Sequence, residues 1–229
     1  MIPLTMFSLF RQRFSCRVLL PEGVDTHCHL LPGVDDGAPH AKEALEMIRY
    51  MKQRGLRGCI CTPHVSLRYP ANSTATLRAA FQDFCISAAE QHPDFMLQLA
   101  AEYMLDERFP RLLAQEELLY WLQPEMILVE LSATHPVPGW ADLLSDMLRR
   151  GYTPVLAHPE RYHRHLSEQD LEHLHSLGIL FQGNLGSPAG IYGRSVQKRC
   201  LRLRDAGLYF RWGSDAHRSK GFRALPLKT

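Results

Sequence analysis

Short apolar runs alternate with longer stretches of helical periodicity along most of the chain, and this alternation sets the fold class. The runs at 24–29, 58–62, 96–101, 126–131, 153–157, 179–181 and 208–212 read as strands. Between them, Ala44, Met47, Ile48 and Met51 recur at helical spacing, as do Leu77, Phe81, Phe84 and Ala88. Trp140, Leu143, Leu144, Met147 and Leu148 make a third stripe. Each stripe reads as a core-facing surface. Gly55, Gly151, Gly178 and Gly207 stand where a helix should stop, just ahead of the next strand. Seven strand–helix repeats in 229 residues predict a parallel α/β fold, a distorted (β/α)7 TIM-like barrel. A doubly wound open sheet is the alternative, although no Gly-rich dinucleotide loop or P-loop is present.

An apolar content of 45% at this length suits one domain with one core. The expected division is an N-terminal arm at 1–20 and a single folded domain at 21–229. The opening run MIPLTMFSLF precedes its arginines, the reverse of a secretory signal, and is too short to span a bilayer. A cytoplasmic protein with no stable membrane insertion is therefore expected. The net charge is +2, with the two signs interspersed and no basic stripe carrying aromatics, so nucleic acid is not an expected partner. Six cysteines at 16, 28, 59, 61, 85 and 200 form no regular framework and read as reduced thiols. Cys59 and Cys61 are expected on opposite faces of their strand. None of the six begins the Cys-x5-Arg loop of a thiolate phosphatase.

Twelve histidines are the compositional feature that carries chemistry. His27 and His29 close the first strand, and His64 follows the second. Glu102 follows the third, Glu130 ends the fourth and His158 ends the fifth. Asp215 and His217 follow the last strand. In a parallel barrel the C-terminal strand ends share one rim, so eight metal-competent side chains would converge there. Two other His-x-His pairs lack this support: His163 and His165 lie on a loop, and His173 and His175 on a predicted surface helix at 168–177. Each rim residue also has an ordinary reading, as a turn residue or a salt-bridged strand end. A carboxylate closing a run such as MILVEL nevertheless needs a partner, and a metal ion can serve several at once.

Mixed imidazole and carboxylate donors suit zinc, manganese or iron. Five histidines and three acids exceed one ion's needs, so two or three divalent ions are expected. Such a cluster activates water and neutralises phosphoryl oxygens, which predicts phosphate-ester hydrolysis with a metal-bound hydroxide as nucleophile. Arg161, three residues past His158, is placed to hold phosphate oxygens; its ordinary reading is an ion pair with Glu160 or Asp170. Tyr69, Tyr103 and Tyr162 lie just beyond ligand-bearing strand ends and are candidates to flank an aromatic ring.

The stretch VDTHCHLLPGVDDGA at 24–38 closely resembles the opening motif of bacterial PHP-type tyrosine phosphatases. These belong to the polymerase and histidinol phosphatase superfamily and act in capsule and exopolysaccharide production. CTPH at 61–64, AEY around Glu102, LVEL around Glu130, AHPERY at 157–162, QGN at 182–184 with GIYG at 190–193, and GSDAH at 213–217 continue the series. The resemblance implies a PHP phosphatase domain with three metal ions, usually manganese, that hydrolyses phosphotyrosine without a cysteine nucleophile. It implies His27, His29, His64, Glu102, Glu130, His158, Asp215 and His217 as ligands and Arg161 as a phosphate contact. Asp36 would orient a ligand or serve in proton transfer. The expected partner is a phosphotyrosine protein, foremost a bacterial tyrosine autokinase. In the family a further helix and an arginine follow the last motif. Here the chain runs through Arg218 and Arg223 to ALPLKT, so the closing helix is expected to be absent or replaced. The competing readings are a small-molecule phosphatase, such as one for histidinol phosphate, and a non-catalytic metal-binding scaffold.

Overall fold

The structure is a computed structural model that describes residues 14–15, 20, 22–132, 134–225 and 227–228. Its first third comprises β1 (Phe14–Ser15), β2 (Val24–Cys28), α1 (Ala41–Gln53), β3 (Gly58–Cys61), β4 (His64–Val65) and α2 (Thr74–Gln91). The middle third comprises β5 (Met96–Leu99), β6 (Glu102–Met104), α3 (Phe109–Gln115), β7 (Met126–Glu130), α4 (Trp140–Arg149) and β8 (Thr153–Ala157). A 3-10 turn (Pro159–Tyr162) then leads to α5 (Glu168–Ser176), β9 (Leu180–Asn184), α6 (Arg194–Asp205), β10 (Tyr209–Gly213), α7 (Ser219–Ala224) and β11 (Leu227–Lys228).

All pairings between these strands are parallel. Of three sheets among the described residues, one has the order β2-β3-β5, one the order β10-β9-β8-β7-β6-β4, and the third pairs β1 with β11. β3 and β4 are one strand path broken at Thr62 and Pro63, and β5 and β6 are one path broken at Ala100 and Ala101. Backbone bonds cross the breaks: Ala100 N–H donates to Cys61 O, and Glu102 N–H to Pro63 O. The first and last paths meet at a seam, where Cys28 bridges Ala216 in parallel. There Asp215 N–H donates to His27 O at 2.8 Å and His29 N–H to Ala216 O at 3.0 Å. Seven strand paths thus form the expected distorted barrel.

Two apolar layers hold it. Inside the barrel, Val24, Ile60, Ala100, Trp121, Leu128, Val155 and Ala157 pack together, and Trp121 Nε1–H donates to Thr26 O at 2.6 Å. Between strands and helices lies the larger core, which receives all three expected stripes. Met47, Ile48 and Met51 are wholly buried on α1, and burying each such side chain contributes about 1.5–3 kcal/mol. Ser73 and Thr76 form a reciprocal cap at the start of α2, and Ser167 and Asp170 do so for α5. The glycines read as helix stops all have left-handed backbone, from φ 71° at Gly207 to 95° at Gly178.

One reading needs correction. Cys59 and Cys61 share one face, both packing with Cys28 in the outer core, while Ile60 between them turns into the barrel. Side chains alternate along a strand, so positions two apart point the same way. Of the two expectations for the closing helix, absent or replaced, the second holds: the six-residue α7 stands in that place and rests on α1. Phe222 is wholly buried there, Ser219 N–H donates to Glu43 Oε1, and the Arg54 guanidinium donates to Arg223 O and Leu225 O. At the other terminus, β1 pairs with β11; the rest of the arm expected at 1–20 lies, apart from Leu20, outside the described residues. Among the described residues, no helix is long and apolar enough to cross a membrane.

Candidate metal centre

A register shift in β2 between Asp25 and Cys28 sets up the site. Val24 lies in the inner cluster and Cys28 in the outer one, although four positions of regular strand would keep them on one face. The bulge re-aims the strand, so His27 and His29 turn toward the barrel mouth. Gly213, ending β10, lies directly against them; a Cβ there would come 2.4 Å from His27 Cβ. His158 and Asp215 both have left-handed backbone, φ 36° and 54°. That conformation is disfavoured for residues bearing a Cβ.

The eight rim residues come together. His27 Nε2 lies 3.3 Å from His29 Nε2. Glu102 Oε2 lies 3.3 Å from His27 Nε2, 3.4 Å from His29 Nε2 and 3.2 Å from His64 Nδ1. His158 Nε2 is 2.9 Å from Glu102 Oε1, and His64 Nδ1 is 2.8 Å from Glu130 Oε1. Asp215 Oδ1 is 3.4 Å from His29 Nε2 and 3.7 Å from His217 Nδ1. Asp36 joins them, with Oδ1 3.5 Å from Nε2 of both His64 and His217. Three overlapping groups have metal-ligand spacing: His27, His29 and Glu102; His64, Glu102 and Glu130; and His29, Asp36, His64 and His217.

The surroundings orient the imidazoles. Four of the five histidines have Nδ1 engaged: His27 with Gln182 Oε1 at 2.7 Å, His29 with Asp35 Oδ2 at 2.8 Å, His158 with the Tyr162 hydroxyl at 3.1 Å, and His217 with Asp215 O at 3.0 Å. Each leaves Nε2 facing the centre, the arrangement that ligating histidines adopt. Asn184 Nδ2–H donates to Asp215 Oδ2 at 2.7 Å. Asp25 Oδ1 accepts from Ser214 N–H and His27 N–H, tying the two seam strands together.

Buried charge explains why a cation fits. Burial opposes ionisation of Glu102 and Asp215, yet the neighbouring histidines hold both carboxyls well below the usual range. In turn, despite burial, Glu102 and Asp215 raise His27 to about 9. Burial and the nearby charge of His29 push His217 down to about 4. Glu102 Oε2, Glu130 Oε1 and Asp36 Oδ1 are buried and make no directed hydrogen bond. Carboxylate oxygens facing imidazole nitrogens without hydrogen-bond geometry suit donors around shared cations, and oxygen and nitrogen donors together suit a divalent transition metal.

Above these residues opens a cleft of about 370 Å³, bordered by Arg68, Tyr69, Asp106 and Arg161. Arg161 donates to Asp215 Oδ2 at 3.1 Å and lies 5.4 Å from the Tyr192 ring centre. Its alternative partners are occupied elsewhere. Glu160 is buried and accepts from Asn184 N–H and the Ser187 and Tyr209 hydroxyls, while Asp170 caps α5. Of the three tyrosines expected to flank a ring, Tyr69 borders the cleft. Tyr103 and Tyr162 are buried, their hydroxyls accepting from Leu119 N–H and Leu131 N–H. His163, His165 and His173 are exposed, and His175 packs on Phe181. Arg223 sits over Tyr50, and Arg218 donates to the carbonyls of Asp36, Gly37 and His217.

Sequence reasoning gave no role to Asp25, Asp35, Gln182 or Asn184, although all four lie within the motifs that carry the resemblance. Gln182 and Asn184 left a signal: polar side chains at alternate positions of the buried strand LFQGN. Asp35 did not stand out from Asp36. Its side chain is fully buried and accepts from His64 N–H and Gly37 N–H as well as meeting His29. Burial opposes its charge, but His29 and these N–H groups hold it down to about 2.

A parallel barrel carrying histidines and carboxylates at its C-terminal rim defines a class of metal-site α/β proteins. Residues 23–228 match the family described as capsular polysaccharide synthesis, CpsB/CapC, and the chain belongs to that family. It is 34% identical over 200 residues to the tyrosine-protein phosphatase YwqE of Bacillus subtilis (strain 168), covering 86% of this chain and 78% of the relative. It is 24% identical over 196 residues to the putative tyrosine-protein phosphatase CapC of Staphylococcus aureus, covering 85% and 76%. A solved structure from the pair YwqE of Bacillus subtilis and CpsB of Streptococcus pneumoniae, described as unique metal-dependent tyrosine phosphatases, superposes with a TM-score of 0.79. The two chains share 32% identity, with 87% of this chain and 81% of that one covered.

Proposed function

We propose that this chain is a metal-dependent protein-tyrosine phosphatase, its domain at 21–229 acting on a tyrosine-phosphorylated protein. The observation that carries the reading is the set of buried, undirected carboxylate oxygens of Glu102, Glu130 and Asp36 facing imidazole nitrogens beneath an open cleft. His27, His29, His64, Glu102, Glu130, His158, Asp215 and His217 would hold two or three divalent ions, Mn2+ foremost. Ions bound there supply an activated water and neutralise charge on phosphoryl oxygens.

The protein's own groups do the rest. Arg161 offers a planar fork to the phosphoryl oxygens, steadied from behind by Tyr192 and Asp215. Tyr69 lies alongside the incoming phenyl ring. Water adds to phosphorus as the bond to the tyrosine oxygen breaks; Asp36 takes the water's proton and returns one to the phenolate. A tyrosine autokinase of capsule or exopolysaccharide synthesis, in the cytoplasm, fits as substrate.

Chelation should abolish turnover of phosphotyrosine peptides, Mn2+ should restore it, and thiol alkylation should have little effect. Full activity after verified metal removal would refute the reading. A higher kcat/KM for histidinol phosphate than for phosphotyrosine peptides would replace it with amino-acid metabolism.

A further inference from the structure

A second groove, of about 480 Å³, adjoins the cleft, and Asp215 and His217 line both. Its character differs from the cleft's. The cleft is polar, bordered by Asp36, Asp106 and Glu130 together with Arg68 and Arg161. The groove is lined by Ile191, Tyr192 and Leu225, with Arg218 and Lys220 exposed along it. Ile191 is 47% exposed, one of few large apolar side chains left to solvent among the described residues. Tyr192 links the two spaces, since its ring also backs the Arg161 guanidinium.

This continuity matters because phosphotyrosine arrives on a polypeptide that must leave the cleft across its edge. A chain passing Arg161 meets Tyr192 and Ile191 next, and the cations beyond them complement a negative side chain. We infer that this groove binds the polypeptide on one side of the phosphotyrosine, taking an apolar residue against Ile191 and Tyr192 and an acidic residue at Lys220. The inference rests on the phosphatase reading above, and it assigns sequence preference to a surface that borders the metal centre and extends beyond it. Burial of one apolar side chain and one exposed ion pair are modest effects, so the preference is one of several-fold.

The test compares kcat/KM for phosphotyrosine peptides varied to Leu, Glu, Gly or Lys at each of three flanking positions, relative to kcat/KM for p-nitrophenyl phosphate. The expected result is a preference on one side only, about five-fold for Glu over Lys, reversed by Lys220→Glu. Ile191→Asp should lower the peptide-to-p-nitrophenyl phosphate ratio by about ten-fold. Turnover of p-nitrophenyl phosphate with no flanking preference would overturn this inference alone. Absence of turnover of either substrate would overturn the phosphatase reading as well. An unchanged ratio in Ile191→Asp together with loss of a dimer in sedimentation would assign the groove to a second copy of the chain and overturn the peptide assignment.

Discussion

Asp35→Asn is the sharpest perturbation of the proposed centre, because it changes one atom and leaves every rim residue in place. Oδ2 of Asp35 meets His29 Nδ1 at 2.8 Å and accepts from His64 N–H at 3.0 Å, while Oδ1 accepts from Gly37 N–H at 2.8 Å. An amide has one acceptor oxygen where the carboxylate has two. Turned one way, the substituted side chain sets its NH2 against Gly37 N–H. Turned the other way, it sets NH2 against both His29 and the His64 backbone. Either arrangement loosens the loop or two of the imidazoles, and the negative charge that favours the Nδ1-protonated form of His29 is gone. Removing such a partner of a ligating histidine weakens metal binding by about 10–100-fold, or roughly 1.4–2.7 kcal/mol. Competition against a chelator of known affinity measures this, with thermal melting of the metal-free protein as the control for folding. Parent-like metal affinity in a normally folded variant would refute the orienting role and with it the assignment of His29.

Three further outcomes are expected. His27→Ala and Glu130→Ala should each lower metal content and activity together, whereas exposed His173 on α5 should tolerate alanine without either effect; elemental analysis and kinetics decide, and the opposite pattern would discard the ligand set. Arg161→Lys keeps a charge beside Asp215 but loses the planar fork, so kcat/KM for phosphotyrosine peptides should fall several-fold at unchanged metal content; parent-like kinetics would remove Arg161 from the site. Gly213→Ala forces a Cβ to within 2.4 Å of His27 Cβ, an overpacking worth about 3 kcal/mol, so Tm should drop by roughly 6–12 °C; an unchanged Tm would show that the seam can shift freely.

What the chain discloses by reading alone divides along a physical line. The rim residues were legible because each ends or follows an apolar run, and a charge in that place is conspicuous wherever the fold then puts it. The helix stops were legible because left-handed backbone strongly favours glycine. The partners of the rim were not, since the role of Gln182 or Asn184 depends on which strand lies beside it. Asp35 and Asp36 are adjacent and chemically identical, and only the path of their loop sends one side chain under His29 and the other toward the cleft. Tyr103 and Tyr162 were misplaced for the same reason: position after a strand end does not reveal whether a ring folds back beneath the rim. The bulge in β2 has no compositional mark at all, yet it decides where His27 and His29 point.

The seam between Cys28 and Ala216 also makes the centre a late event in the life of the molecule. His27 and His29 belong to the opening of the chain and Asp215 and His217 to its close, so a nascent polypeptide emerging from the ribosome holds the first pair long before the second exists. Until the last strand is synthesised and docks, the early histidines face a gap, and their neighbour Asp25 lacks the Ser214 N–H that it accepts in the finished barrel. Joining contacts so distant in sequence is slow relative to forming the helices. The proposed centre therefore forms only once the first and last strands meet, and a translation product that stops before Ala216 lacks the proposed ligand His217.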